Sequence, residues 1–375
     1  MKEFEVDNFT AIIPGTCNAN CGFCPEKESE QVDKATWLYN LVDNINSTHH
    51  MGYDHVSLSG GEPTLDLRML AATFNVITLA TPVKGVGFTT NGQFLESEVK
   101  RLNLIQILNS DIGRNVYFIN ISRHAFDTAE NNRIMEVNYR HTLNDIAMFR
   151  RSLVNVHSFR LNMVITPDTD YRRLFRETKV LTGWLRDSEI SIAFRCDYAF
   201  QAGASIPPEI LNEFSRQFGD AVNLGGCPTC VSMGPGNPRY RGQVMLKSAD
   251  FEPMAVDSIV REFIQHMNGR LYYDWTRSEL HDVANDPAYT KNWIHRIPTA
   301  GELLSYRDPL DVVELQTRTT LPITESVRLV RSDSPHVKTK PDYSNLRCGF
   351  PDYNPPSCGG GCGKPSSGSC GGGCG

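Results

Sequence analysis

From the N-terminus to about residue 205, short apolar runs rich in β-branched and aromatic residues alternate with longer stretches of helical spacing. No other feature of the sequence restricts the fold as strongly. The strand candidates are residues 9–14, 55–59, 85–90, 116–122, 159–165 and 190–199. Between them Leu38, Leu41, Val42 and Ile45 share one helical face, and residues 65–80, 96–108, 134–153 and 171–185 show the same spacing. Short apolar strands each followed by a helix imply parallel strands joined by right-handed crossovers. Six such units make an α/β fold, a partial (β/α)6 TIM-like barrel that is twisted and only partly closed. A closed eight-unit barrel needs roughly 250 residues of this pattern, and the alternation fades near residue 205.

Residues 206–349 read as a smaller α+β extension. A helix is expected over 207–218, a strand over 242–247 and an amphipathic helix over 256–267, with a turn-rich stretch after Cys227-Pro-Thr-Cys230. From 350 to 375 the composition changes again. Residues 358–375 hold nine Gly, four Cys and one charged residue, Lys364, and repeat Cys-Gly-Gly-Gly-Cys-Gly. Such a tail cannot bury a core and is expected to be flexible unless something binds it. The domain reading is therefore 1–205, 206–349 and 350–375.

Charge and cysteine content narrow the function. Lys plus Arg is 37 and Asp plus Glu is 43, a net charge of −6, so no general nucleic-acid binding is expected. No run of about 18 apolar residues suggests a membrane span. The first residues carry mixed charge and no apolar h-region, so no signal peptide is expected and the cytoplasm is the default compartment. Eleven cysteines stand at 17, 21, 24, 196, 227, 230, 348, 358, 362, 370 and 374. An odd number in tight groups reads as metal ligation rather than a disulfide framework.

Cys17-Asn-Ala-Asn-Cys21-Gly-Phe23-Cys24 follows directly on the first strand. Three thiolates within eight residues can wrap one small inorganic centre. On a four-iron cubane they leave one iron without a protein ligand, the open position a reactive cluster needs. Tetrahedral zinc normally takes a fourth Cys or His, and no His follows within a dozen residues. The second motif, Ser59-Gly60-Gly61-Glu62-Pro63-Thr64, sits where the second strand hands over to a helix. Ligands of parallel α/β proteins bind at such strand ends. Two glycines permit close backbone approach, Glu62 offers a carboxylate to an ammonium group, and Pro63 suits a first helical turn.

On these two motifs, with the aromatic Phe23 just before the third cysteine, the sequence resembles the radical S-adenosylmethionine (radical SAM) superfamily over roughly residues 9–200. The resemblance implies a [4Fe-4S] cluster on Cys17, Cys21 and Cys24. It also implies SAM bound with its amino group at Gly60, Gly61, Glu62 and Pro63 and its methionine end on the open iron. A one-electron reductant such as a flavodoxin or ferredoxin then drives SAM cleavage to methionine and a 5′-deoxyadenosyl radical, which takes hydrogen from a substrate. Relatives often carry Thr-Asn-Gly where this chain has Thr90-Asn91-Gly92, so Asn91 is a SAM candidate, although Asn-Gly is also an ordinary turn. Ser122 and His124 at the fourth strand end, and Arg160 and Asn162 on the fifth strand, are further candidates for SAM or substrate contact. Arg195, Asp197 and Gln201 alternate along the sixth strand and make one face polar, with Cys196 on the other side as a small buried hydrophobe.

Cys227 and Cys230 loosely resemble the carboxyl-terminal cysteines of GTP 3′,8-cyclase-like enzymes, which hold a second cluster. Here no third Cys follows before Cys348, so a second iron–sulfur cluster, a zinc half-site and a plain turn all remain open. A SPASM-type extension of peptide-modifying relatives needs more cysteines than this region has. The substrate is a peptide or a small molecule, including a nucleotide. The competing reading is a non-catalytic iron–sulfur or zinc protein acting through the Cys-rich tail, in which the Gly60–Pro63 motif has no role.

Overall fold

The computed structural model describes residues 8–24, 30–197, 206–224, 232–248, 262–273 and 275. In chain order the elements are β1 (Asn8–Ile13), α1 (Lys34–Thr48), β2 (His55–Gly60), α2 (Leu67–Ala80), β3 (Gly85–Thr90) and α3 (Glu98–Asn109). There follow β4 (Val116–Ser122), α4 (Thr128–Met135), α5 (Leu143–Arg151), β5 (Ser158–Ile165), α6 (Tyr171–Asp187) and β6 (Ser191–Cys196). The chain continues with α7 (Pro208–Phe218), β7 (Ala221–Asn223), β8 (Ser232–Pro235), β9 (Val244–Lys247), β10 (Glu262–Gln265) and β11 (Leu271–Tyr272).

All eleven strands form one sheet in the order β11-β10-β1-β2-β3-β4-β5-β6-β9-β8-β7. From β10 through β9 the neighbours are parallel, and antiparallel pairs finish each end. β11 and β7 do not pair, so among the described residues the sheet stays open, as the six-unit partial barrel requires. The strands supplied after residue 205 join this same sheet: β9 lies beside β6, and β10 beside β1.

The helices start where the sequence supplies a cap for the free N–H groups of the first turn. Asp33, Asp66, Ser97, Asp127 and Asp170 each accept from a backbone N–H of the following turn, and Thr142 and Asp145 cap α5 reciprocally. One face of the sheet packs on these helices. Phe9, Val56, Phe88, Phe159 and Phe194 meet Trp37, Phe74, Phe175 and Phe214 there, every one fully buried. The other face is polar along its middle strands: register places Ser57 beside Thr10, Asn120 beside Thr89 and Arg160, and Ser122 beside Asn162.

Three expectations need correction. The single helix over 134–153 is two, because Glu136 adopts a left-handed conformation (φ 53°) that ends α4, and the chain detours before α5 begins at Leu143. The helix over 256–267 is, in its described part, the strand β10, whose Phe263 and Ile264 are buried and whose backbone pairs with β1. Tertiary pairing overrides the helical spacing there. The helix expected from residue 65 starts at Leu67, after a short 3-10 turn over Pro63–Leu65. Among the described residues no helix is long and apolar enough to cross a membrane.

Candidate functional site

The cysteine loop leaves the carboxyl end of β1 at Ile13. Cys17 is exposed, Cys21 and Cys24 are half-buried, and none of the three is in a disulfide. The loop is pinned at several points: Asn20 N–H donates to the Met135 carbonyl at 2.9 Å, Cys24 N–H to the Cys21 carbonyl at 3.2 Å, and the Asn20 amide to Glu136. Cys17 Sγ accepts from Ala19 N–H at 3.4 Å and from Asn91 Nδ2 at 3.7 Å. Burial raises the Cys17 thiol, Glu62 and Cys24 push it further in that direction, and these two donors oppose the rise. Phe23 stands edge-on to His124, ring centres 4.8 Å apart.

The glycines of the second motif make a close approach, and it is to the cysteine loop itself. A Cβ on Gly60 would lie 2.6 Å from the Ile13 carbonyl oxygen, and one on Gly61 2.5 Å from that of Thr16. Gly60 also has φ 146°, a region that side-chain-bearing residues rarely adopt. The Glu62 N–H then donates to the Thr16 carbonyl at 3.0 Å. The two motifs are thus laid backbone against backbone.

Glu62 is buried and turned inward. Its Oε1 accepts from Thr64 N–H (2.9 Å), Thr64 Oγ1 (2.5 Å) and Thr90 Oγ1 (2.5 Å), and its Oε2 accepts from Asn91 N–H at 2.6 Å. Burial raises its carboxyl, and these four hydrogen bonds pull the other way without cancelling the rise. Oε2 accepts this hydrogen bond from Asn91 and keeps acceptor capacity for an ammonium group. Glu62 therefore ties the ends of β2 and β3 together and holds Asn91 beside Cys17.

The remaining candidates divide into two groups. Asn91 reaches both Cys17 and Asn18, and His124 reaches Phe23, so the structure brings these to the cysteine loop. His124 Nδ1 accepts from Val164 N–H at 3.0 Å, and burial depresses the ring to about 4, which leaves it neutral with its proton on Nε2. Ser122 and Asn162 sit side by side on the polar face of β4 and β5, with Arg160 two residues earlier on that face. Cys196 is buried against the core, its thiol pushed up to about 12 by burial, as expected of a small hydrophobe. Gln201, Cys227, Cys230, Cys348 and the tail cysteines lie outside the described residues.

Sequence reasoning missed Thr64 and Thr90 as partners of Glu62, and the contact of Asn18 with Tyr139. Asn18 and Thr64 stood inside the motifs as spacer residues, while nothing in the spacing pointed to Tyr139. Asn18 and residues 136–140 line an open groove of about 810 Å³ beside the loop.

Residues 12–172 match the family model of the Radical SAM superfamily. Over that stretch, which holds both motifs, the chain is similar to that superfamily. Among curated radical SAM relatives, a probable GTP 3′,8-cyclase of Thermoplasma volcanium is 30% identical over 128 residues, 33% of this chain and 35% of that protein. A GTP 3′,8-cyclase of Clostridium perfringens is 26% identical over 168 residues, 44% of this chain and 48% of that protein. The matched part thus spans less than half the length of these relatives. Among solved structures, Streptococcus suis SuiB matches at 15% identity and a TM-score of 0.47, over 81% of this chain and 68% of that one.

Radical SAM proteins imply a [4Fe-4S] cluster and SAM, and the residues present fit that pair. The donor set is three cysteines, none in a disulfide, on one eight-residue loop. Among the described residues no group of three or more His, Cys, Asp or Glu side chains converges as on a single metal ion. A cubane takes one thiolate per iron and needs no such convergence. On the SAM side, the buried Glu62 carboxylate with its spare acceptor capacity stands across from Cys17, linked through Asn91.

Proposed function

We propose that this chain binds a [4Fe-4S] cluster through Cys17, Cys21 and Cys24 and cleaves SAM reductively to start radical chemistry on a substrate. The interlock of the two motifs supports this reading above all else: Glu62 N–H on the Thr16 carbonyl, and Asn91 shared between Glu62 and Cys17. When bound, the cluster supplies the single electron that breaks the S–C5′ bond of SAM to give methionine and a 5′-deoxyadenosyl radical. Glu62 receives the amino group of SAM, which offsets the cost of its burial by giving the carboxylate a cationic partner. Gly60, Gly61 and Pro63 fix the strand end so that this carboxylate faces the loop. Asn91 orients Cys17, and Phe23 with His124 closes the side of the loop toward β5. Ser122, Arg160 and Asn162 provide polar contacts deeper in the open barrel, where a substrate must meet the reactive carbon at short range.

The reductant is a one-electron carrier such as a flavodoxin or ferredoxin, and the substrate is a peptide or a small molecule such as a nucleotide. The test is anaerobic reconstitution followed by dithionite and SAM. 5′-Deoxyadenosine should form with the native chain and not with a Cys17→Ala/Cys21→Ala/Cys24→Ala variant. Continued cleavage by that variant would end the ligand assignment. Deuterium carried from a labelled substrate into 5′-deoxyadenosine then separates peptide from nucleotide.

A further inference from the structure

Tyr139 lies on the segment between α4 and α5, docked on the cysteine loop. The Asn18 amide donates to its hydroxyl at 2.7 Å, and Asn18 is itself held by Asn91 Nδ2 at 2.9 Å, the same nitrogen that reaches Cys17 Sγ. The ring is only 6% exposed and stacks on His141, ring centres 5.1 Å apart, while the Tyr139 carbonyl accepts from Asn132 Nδ2 at 2.8 Å. The phenol is therefore fixed in place from both sides.

A phenol oxygen accepts and donates. The Asn18 amide uses the accepting side, and the O–H proton has no acceptor among the described residues. A buried donor without an acceptor is unfavourable and marks a place where a further group belongs. Burial raises the ionisation of Tyr139 above the ordinary tyrosine range, and the acidic groups close enough to add to the rise are Glu62, Cys17 and Cys21. By geometry the phenol is tied to Cys17 through Asn18 and Asn91, so its spare O–H belongs to the side chains that surround the cysteine loop.

We infer that the Tyr139 O–H donates a hydrogen bond to a sulfur of the cluster bound at Cys17 and Cys21, and so holds its reduction potential within reach of the electron donor. A donor to sulfur stabilises the state carrying the extra electron, so it raises the potential. Tyr139 is a positioning residue: it touches neither SAM carbon nor substrate, and it acts on how readily the cluster accepts an electron. The inference rests on the proposed function, because it needs the cluster to be there.

The test is a redox titration of the reconstituted full chain, followed by electron paramagnetic resonance without SAM. Tyr139→Phe keeps the ring and removes only the donor. It should load iron and sulfide like the native chain, yet show about tenfold less reduced over oxidised cluster at a fixed potential, a shift of about 59 mV to more negative values for one electron. A deuteron coupling seen on the reduced native cluster in D2O should also vanish. Should Tyr139→Phe load poorly, 3-fluorotyrosine at position 139 keeps the hydroxyl and makes it a stronger donor, and the potential should rise. A loaded variant with an unmoved potential overturns this inference alone. A native chain that takes up no cluster overturns the proposed function, and this inference with it.

Discussion

At the scale of single residues, Gly60 and Gly61 decide whether the two motifs can meet. The atoms facing their missing Cβ positions are backbone atoms of Ile13 and Thr16, which cannot swing aside as a side chain would. Gly60→Ala and Gly61→Ala should each cost about 1–3 kcal/mol through overpacking, and Gly60→Ala the more because its φ also becomes strained. Urea unfolding midpoints would show it, and midpoints equal to that of the native chain would mean the cysteine loop yields freely. Both variants should also bind less iron on reconstitution, since the loop is displaced. The motif letters were legible in the sequence, but the object approached was not. Glycines at a strand end read as room for a ligand, and only the fold shows that the chain's own Thr16 carbonyl fills that room. Glu62 has the same history: its carboxylate was readable as a site residue, whereas its hydrogen bonds to Thr64, Thr90 and Asn91 depend on β2 and β3 lying side by side.

At the scale of elements, the segment from Glu136 to Thr142 was the least legible part of the site. Its sequence continues a helical spacing, and a break after Met135 is enforced by contacts far away in the chain. Glu96 receives the N–H groups of Arg140 and His141 at 2.8 and 2.9 Å and His141 Nδ1 at 2.7 Å. Burial works to raise the Glu96 carboxyl, but these three donors outweigh it and leave it below the usual carboxylate range. Burial lowers His141, against the opposing pull of Glu96. Both shifts give one sign. The unfolded chain takes up protons first, at about 6.5 for histidine and about 4.3 for glutamate, so this segment's contribution is present at neutral pH. It weakens as pH falls through the histidine range and is lost as pH drops through the depressed Glu96 value. Glu96→Ala leaves two backbone donors without their acceptor and should cost about 1–3 kcal/mol at neutral pH. Its melting temperature should also fall more steeply through the histidine range than that of the native chain, because Glu96 no longer opposes the burial that lowers His141. Parallel slopes for the two proteins would remove Glu96 from the account.

At the scale of the whole molecule, the strands near the middle of the sheet were readable because each is a short run rich in β-branched and aromatic residues set between stretches of helical spacing. β10 was not, since four residues are too few to show a period and its partner Asn8 is 254 positions away from Glu262. Yet β10 is built into the structure as firmly as the first six strands. Asn8 and Thr10 both donate to Glu262 Oε1 at 2.8 Å. Trp37 Nε1 donates to the His266 carbonyl, Gln265 Nε2 to the Trp37 carbonyl, and Asn44 Nδ2 to Gln265 Oε1. Phe263 is fully buried against Phe9, Tyr53 and Tyr273. β9 performs the same service for β6, with Val244 and Leu246 in the main core. A chain stopped at residue 205 would lose both and leave β1 and β6 as long apolar edges with unpaired backbone groups, the arrangement that promotes association between sheets. Such a fragment should accumulate as aggregate when expressed in parallel with the full chain. In the full chain, Phe263→Ala should cost about 3–5 kcal/mol, the usual loss for a buried phenylalanine. A 1–205 fragment that stays monomeric and unfolds cooperatively would show that the β1 edge, from which the cysteine loop departs, needs no cover from β10.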